Sequence, residues 1–293
     1  MLILLSNDDG VLAEGLHVLR RRLAAMAQVY VVAPDHERSA CGHSITLHRP
    51  LRASRVSLDG VRETVWAVNG TPADCVKLAL EVLLPQPPDL VISGINLGPN
   101  LGTDVLYSGT VSAALEGAIE GVPSLAVSLD GEDPGLLPFA AEFTASLCRS
   151  LMACGVGPHT LLNVNLPGLP PERIAGVEIT TLGWRRYVNA VHRREDPRGR
   201  PYYWIAGDIR DDTELAGTDV AALAQGKISI TPIHFDLTDY RLAEELKARG
   251  LGAELEGALP DRTAQHPEEA GQILPGQGTQ GQGQQDVDRS TQQ

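Results

Sequence analysis

No stripe rich in Lys and Arg runs through this chain, which carries 37 acidic against 24 basic residues and a formal charge of −13. Duplex nucleic acid and anionic membrane surfaces both need clustered positive charge, so neither is an expected partner. The short basic runs, Arg20-Arg21-Arg22 and His192-Arg193-Arg194 with Arg198 and Arg200, read first as solvated faces, with attraction of an anionic substrate as the alternative for the second. Eighteen consecutive apolar residues are nowhere found, and the opening apolar run is short and has no charged segment before it. Neither a membrane span nor an export signal is expected, and the cytoplasm is the expected location. Cys41, Cys75, Cys148 and Cys154 are too few for a disulfide framework and lack metal-site spacing, so reduced structural thiols are expected. Absent too are G-x-G-x-x-G after the first apolar run and G-x-x-x-x-G-K-[ST] anywhere, which argues against dinucleotide and triphosphate-hydrolase sites. Gly94-Ile95-Asn96-Leu97-Gly98 has Asn where an esterase nucleophile elbow needs Ser.

What is present alternates. Met1–Ser6 is apolar, Gly15–Ala27 has helical periodicity, and Gln28–Ala33 is rich in Val before Pro34 stops it. Asp59-Gly60 between two strand-like runs predicts a hairpin. Thr71-Pro72-Ala73-Asp74 has the cap, the tolerated first-turn proline and the acidic residue of a helix start, and that helix continues to about Leu84. A buried strand over Asp89–Ser93, a helix over about Thr110–Glu120, a strand over Ser124–Leu129, a helix over Pro138–Met152 and a strand over Thr160–Leu166 follow. The order predicts an α/β fold with a Rossmann-like, doubly wound, mostly parallel sheet. After Gly176 come strand candidates at Val177–Leu182, Tyr187–Val191, Tyr202–Ile205 and Ile228–Ile233, then a closing helix at Leu242–Ala248. Pro197, Gly199 and Pro201 make the middle of this stretch a projecting excursion, not sheet core. One domain over residues 1–258 is expected, with its core at about 1–175 and a hairpin region plus closing helix at about 176–250. The Gln/Gly-rich residues 259–293 have too few apolar side chains to repay ordering.

Asn7-Asp8-Asp9-Gly10 directly follows the first strand. In an open parallel sheet ligands sit beyond the carboxyl ends of strands, where paired carboxylates suit a hard cation, although the same four residues make good turn material. Three further polar segments have the same placement: residues 34–44, residues 93–100 and Ser108-Gly109-Thr110. Asp8, Asp9, Ser39 and Asn96 together offer oxygen donors of the kind Mg²⁺ or Mn²⁺ takes, and zinc would more often bring Cys or clustered His. Ser39 and Asn96 taken singly read equally as loop caps. Ser108-Gly109-Thr110 can bind phosphate through a hydroxyl and free helix N–H groups, or serve only as an N-cap. His36, Glu37, Arg38 and His43 are polar loop residues with less specific signals.

These segments resemble the SurE family, the survival-protein 5'-nucleotidases. The resemblance rests on Leu-Leu-Ser-Asn-Asp-Asp-Gly, Ala-Pro-Asp-His-Glu-Arg-Ser, Gly-His-Ser-Ile-Thr, Val-Asn-Gly-Thr-Pro-Ala-Asp-Cys-Val, Ser-Gly-Ile-Asn-Leu-Gly-Pro-Asn and Tyr-Ser-Gly-Thr-Val-Ser-Ala-Ala, in family order. It implies metal-dependent hydrolysis of nucleoside 5'-monophosphates, with 3'-monophosphates and short polyphosphate as further substrates, and a homodimer or tetramer that exchanges a C-terminal hairpin. It implies Asp8, Asp9, Ser39 and Asn96 as metal ligands for Mg²⁺ or Mn²⁺, Asp8 and Asp9 as catalytic, and Asn7, Asn96, Ser108, Gly109 and Thr110 as phosphate-facing, with Thr71 and Asp74 nearby. Ala40 departs from the pattern, standing where family members often have glycine. Two other classes compete. A receiver-type phosphoacceptor needs an acceptor Asp where Ser93 stands and a Lys that Leu125–Leu129 lacks. A nonenzymatic nucleotide- or phosphate-binding module would keep the phosphate site without turnover.

The tail beyond residue 258 supplies none of these residues and has no repeating apolar face. Deleting the chain after Pro260 is expected to leave kcat/KM for metal-dependent phosphate release within about tenfold, roughly 1.4 kcal/mol of transition-state stabilisation. A larger loss at matched metal concentration would give the tail a role in the site or its assembly.

Overall fold

The computed structural model describes residues 1–57, 60, 63–131, 133–188, 191–205, 207–256 and 258–259. Two compact units result, one from Met1 to Asp236 and one starting at Leu237. In the first, β1 (Leu2–Ser6), α1 (Glu14–Ala24) and β2 (Gln28–Pro34) form the expected opening strand, helix and strand. Next come β3 (Ala53–Arg55), β4 (Thr64–Val68), α2 (Pro72–Leu78), β5 (Leu90–Leu97), α3 (Gly109–Ile119), β6 (Ser124–Leu129), α4 (Leu137–Cys154) and β7 (Leu161–Leu166). The unit continues through β8 (Val177–Ile179), β9 (Arg185–Val188), β10 (Val191–Glu195), β11 (Pro201–Ile205), β12 (Asp208–Asp211), α5 (Asp219–Ala224) and β13 (Ile228–Ile233).

Nine strands join in the order β3-β4-β2-β1-β5-β6-β7-β13-β8. The strands from β4 to β7 in that order run parallel, whereas β3 and β13 run antiparallel to β4 and β7. Parallel strands need crossover helices, and those helices cover both faces, which is why β1, β6 and β7 are buried at every position and read as near-continuous apolar runs. The chain winds outward through β2 and β4, then returns to lay β5 against the other side of β1. That reversal places the switch point at the carboxyl end of β1, between the ends of β2 and β5.

On one face, α1 turns Leu16, Leu19 and Leu23 inward and α4 adds Leu137, Ala140, Ala141 and Cys148 at helical spacing. Arg20 is buried on α1 only because its guanidinium pairs with Glu63. On the other face, α2 begins as its sequence requires: Thr71 Oγ1 accepts from Asp74 N at 3.1 Å, and the Asp74 carboxylate accepts from Thr71 N at 2.9 Å. One π-type turn over Ala79–Leu83 carries this helix on to the expected end near Leu84. Its neighbour α3 is built of small residues, Ala113, Ala114, Gly117 and Ala118, so it sits close to the sheet.

Several boundaries differ from the sequence reading. β5 runs on to Leu97 through an irregularity between Ser93 and Asn96, because Ile95 is buried and Asn96 and Leu97 still pair with Ser128 and Leu129 of β6. The glycines of residues 94–98 therefore mark a distorted strand end, not a loop beginning at Gly94. β3 and β4 form the expected antiparallel pair, but residues 58, 59, 61 and 62 around the Asp59-Gly60 turn lie outside the described residues. The late excursion forms two ribbons apart from the main sheet, β10 with β11 and β12 with β9. β12 and α5 carried no readable period: Asp-Ile-Arg-Asp has one apolar residue, and six helical residues are too few to repeat.

In the second unit, α6 (Tyr240–Ala248) covers the expected closing helix and is capped by Asp239, whose carboxylate accepts from Leu242 N at 2.8 Å. α7 (Leu251–Glu256) follows, and neither helix has a buried residue. The Gln/Gly-rich segment from residue 260 lies outside the described residues. Among the described residues no helix is long and apolar enough to cross a membrane.

Close contact between α3 and the sheet is measurable at Gly117, where a Cβ would meet Ser124 Oγ at 2.6 Å and Val91 Cβ at 2.8 Å. Helix propensity favours alanine there by about 1 kcal/mol. Overpacking a filled interior costs about 1–3 kcal/mol, and contacts this short belong at the upper end. Gly117→Ala is therefore expected to lower the urea midpoint at an unchanged m-value, and a midpoint at or above the parent's would contradict the close packing.

Candidate active site

The register of β1 with β5 pairs Ser6 with Ser93, so the chain leaves β1 between the ends of its two parallel neighbours. Asn7-Asp8-Asp9-Gly10 is indeed a turn: Asn7 Nδ2 donates to Gly10 O at 3.0 Å, and Val11 N then returns to Pro34 O of β2 at 2.8 Å. The same turn sets both carboxylates at the strand edge, so its turn chemistry and its site chemistry coexist.

Asp8 is the hub. Its carbonyl accepts from Arg38 N at 2.7 Å, its Oδ1 accepts the Thr110 hydroxyl, and Gly109 lies so near that a Cβ there would be 2.6 Å from Asp8 Cβ. Three chain segments thus meet at one side chain: the turn after β1, the segment after β2 and the start of α3. Only glycine at position 109 permits that approach. At Ser108 the cap reading holds, since its Oγ accepts from Val111 N at 3.1 Å. The N–H groups of Gly109 and Thr110 open the helix and have no partner one turn back.

Electrostatics single out the same place. Burial pushes the Asp8 carboxyl above its ordinary range, the Thr110 hydrogen bond opposes this, and Glu37 adds to the rise. Asp9 is raised to about 6, first by burial, then by Asp8 and by Glu37. Among the described residues no ion pair includes Asp8, Asp9 or Glu37. Asn7 Oδ1 is buried without a hydrogen-bond partner beside them. Converging negative charge and an orphaned oxygen acceptor match a hard cation.

Ser39 is exposed and donates its hydroxyl to Glu37 Oε1 at 2.7 Å, which leaves the oxygen's lone pairs open. Asn96, half-buried at the end of β5, commits its Nδ2 to Gly98 O at 2.7 Å, so Oδ1 is the atom it can offer a cation. Among the described residues no hydrogen bond joins Ser39 or Asn96 to Asp8 or Asp9, and no group of three or more His, Cys, Asp or Glu gathers for a metal. The donor set available is a carboxylate pair with neutral oxygens, which suits Mg²⁺ or Mn²⁺ and not zinc.

Thr71 and Asp74 bind chain, not open space: Thr71 Oγ1 donates to Ser44 O at 2.7 Å, and Asp74 Oδ1 accepts from Thr46 N at 2.9 Å. Ala40 has φ +55, the left-handed region that favours glycine. Two neighbours carry more structure than their sequence signals suggested. Glu37 presses on both aspartates, and His43 bonds the buried Glu116 of α3 at 2.8 Å. Burial raises the Glu116 carboxyl, yet its bonds to His43 and Lys77 outweigh this and leave it below its ordinary value. A surface depression of about 570 Å³ lined by Trp184, Arg186, Arg210, Asp211 and Asp212 shares no residue with the carboxylate edge.

Comparison with known proteins agrees with this geometry. The family model described as survival protein SurE matches residues 3–189. The "5'-nucleotidase SurE" of Heliobacterium modesticaldum is 59% identical over 246 residues, covering 84% of this chain and 90% of the relative. That of Moorella thermoacetica is 58% identical over 248 residues, covering 85% and 95%. The crystal structure of the Sure protein from Aquifex aeolicus superposes with a TM-score of 0.74 at 42% identity, over 85% of this chain and all of that one. A family match across more than half the chain, and relatives this similar over most of both lengths, lead to one conclusion: the chain belongs to the SurE family.

Proposed function

We propose that this chain is a divalent-metal-dependent phosphomonoester hydrolase that releases phosphate from nucleoside 5'-monophosphates, and that 3'-monophosphates and short polyphosphate also enter its site. Relatives named 5'-nucleotidase over most of both chains support an enzyme of the phosphatase type. The observation that carries the metal-dependent reading is Asp8, a buried carboxylate without an ion pair that is held by Thr110 against the start of α3. Asp8, Asp9, Ser39 and Asn96 would hold Mg²⁺ or Mn²⁺. Such a cation supplies charge neutralisation at the phosphoryl oxygens and a lowered pKa for attacking water.

The chain's own groups then have distinct tasks. The N–H groups of Gly109 and Thr110, aided by the second amide hydrogen of Asn7 and by Ser108, would orient phosphoryl oxygens and stabilise their charge. Thr110 donates its hydroxyl to Asp8, which fixes that carboxylate and reduces its nucleophilicity. This favours water over an aspartate as the attacking group, with Asp9 placed to orient it. Tyr107, exposed and directly before Ser108 in the chain, would offer an aromatic face to a base or sugar.

A homodimer or tetramer in the cytoplasm fits this reading. Both faces of the β10–β11 ribbon are exposed, including Val191, Tyr203, Trp204 and Ile205. A lone two-stranded ribbon is marginal in water, which favours a second copy covering it.

Steady-state phosphate release from nucleoside monophosphates, after chelation and after return of Mg²⁺ or Mn²⁺, tests the activity. Tight nucleotide binding without release under either metal would instead favour the nonenzymatic module. Asp9→Asn keeps the volume and one oxygen but removes a charge from the cation site. It is expected to weaken Mn²⁺ binding and to lower kcat/KM about a hundredfold, roughly 2.7 kcal/mol. Parental Mn²⁺ affinity and turnover in this variant would remove Asp9 from the ligand set.

The raised Asp9 carboxyl also has a signature in the metal-free protein. An unfolded aspartate titrates near about 4, whereas the folded one titrates at about 6. Between these values the native state binds more protons, so the chelated protein loses stability as pH rises through this window and the loss persists above it. Melting curves in chelator at about pH 4.5 and 7 should fall with pH more steeply for the parent than for Asp9→Asn. An identical pH dependence in the two proteins would contradict the raised value.

A further inference from the structure

Residues 38–46, which contain Ser39, form neither helix nor strand and are mostly exposed, so their position depends on a few anchors. Arg38 N is tied to Asp8 O at one end. Ser44 O and Thr46 N are tied to Thr71 and Asp74 at the other, at 2.7 and 2.9 Å. Between those ends, Gly42 N donates to Tyr107 O at 3.0 Å and His43 Nε2 meets Glu116 Oε2 at 2.8 Å. His43 is the side-chain anchor that this strap itself contributes to its middle. Its partner is well placed: Glu116 is 3% exposed on α3 and is also bonded by Lys77 Nζ at 3.1 Å. Lys77 lies on α2 and also bonds Glu120 at 2.6 Å, so it ties α2 to α3 and does not fasten the strap.

We propose that His43 is a positioning residue: its bond to Glu116 fastens the 38–46 strap across α3 and thereby places Ser39 opposite Asp8 and Asp9. This rests on the metal reading above. Asp8, Asp9 and Asn96 are held by the main sheet, whereas Ser39 has no strand beneath it and inherits its position from the strap. α3 also carries the Gly109 and Thr110 N–H groups, so the His43–Glu116 bond ties the proposed hydroxyl ligand to the same helix that faces phosphate. Removing the bond leaves a five-residue span between the Arg38 and Ser44 anchors, with Gly42 N as its remaining tie. The left-handed Ala40 lies inside that span.

The test compares the full-length parent with His43→Ala and with His43→Gln, which keeps an N–H donor at similar reach. In chelated protein, amide hydrogen exchange over residues 39–44 is expected to rise about tenfold or more in His43→Ala and to return toward the parent in His43→Gln. Calorimetric Mn²⁺ affinity is expected to fall about tenfold in His43→Ala, as when a group orienting a ligand is lost, and to be restored by His43→Gln. At saturating Mn²⁺, kcat is expected to stay within about threefold of the parent, because the carboxylates and the α3 start are untouched. Parental Mn²⁺ affinity in His43→Ala would overturn the inference, as would a loss that His43→Gln leaves unrepaired. Failure of the parent itself to bind Mn²⁺ or Mg²⁺ would instead overturn the metal reading on which it rests.

Discussion

Burying Asp8 beside Asp9 costs free energy, because a carboxylate moved out of water is stable only when charge or hydrogen bonds replace its hydration. The Thr110 hydroxyl bonds Asp8, yet burial first, and neighbouring acidic charge after it, keeps both carboxyls above their ordinary values. A fold selected for stability alone gains nothing from this arrangement. Surrounding structure accepts the cost and tightens around it: Asn7 closes the turn, Arg38 N holds the Asp8 carbonyl, and α3 begins against the Asp8 side chain. On the proposed reading, a cation would offset this cost.

That arrangement depends on how near α3 can come. Small residues along its inner face let the helix settle on β5 and β6, and the absence of a side chain at Gly109 lets its first turn touch Asp8. The two facts are linked, because a helix lifted by even one methyl layer would carry Thr110 out of reach of the carboxylate. Packing in the middle of α3 and hydrogen bonding at its start are therefore one constraint. The strand order adds the second requirement, since β2 and β5 flank β1 as parallel neighbours and all three deliver their loops to one edge.

Much of this was legible in the sequence because the signals were local and repeated. The central strands are apolar at each end of a helical period, Thr71-Pro72-Ala73-Asp74 spells a capping box, and Asp8 and Asp9 follow the first strand directly. What was not legible depended on partners distant in the chain. His43 and Glu116 are 73 residues apart, and neither position announces the other. Ser108-Gly109-Thr110 read as a phosphate turn or an N-cap, and neither reading announced that the Thr110 hydroxyl serves Asp8, 102 residues away. β5 passes Gly94 without ending because β6 continues to pair with it, a tertiary effect that overrides the local preference of glycine for a break.

Ser39 and the carboxylates differ in the kind of support beneath them, and that difference has chemical weight on the proposed reading. Asp8 and Asp9 follow a strand buried at every position, and Asn96 is still paired to β6, so their oxygens are held by the core. Ser39 is exposed and hangs from hydrogen bonds made by a segment without regular structure. Charge attraction scales with the fixed carboxylates, whereas the neutral donor adds geometry more than charge. A cation would thus be attracted by the rigid part of the site and its coordination completed by the strap. The strap is anchored to both helices that pack on this face of the sheet, through Asp74 of α2 and Glu116 of α3. A disturbance of α3 therefore reaches Asp8 directly, through Thr110, and Ser39 through the strap.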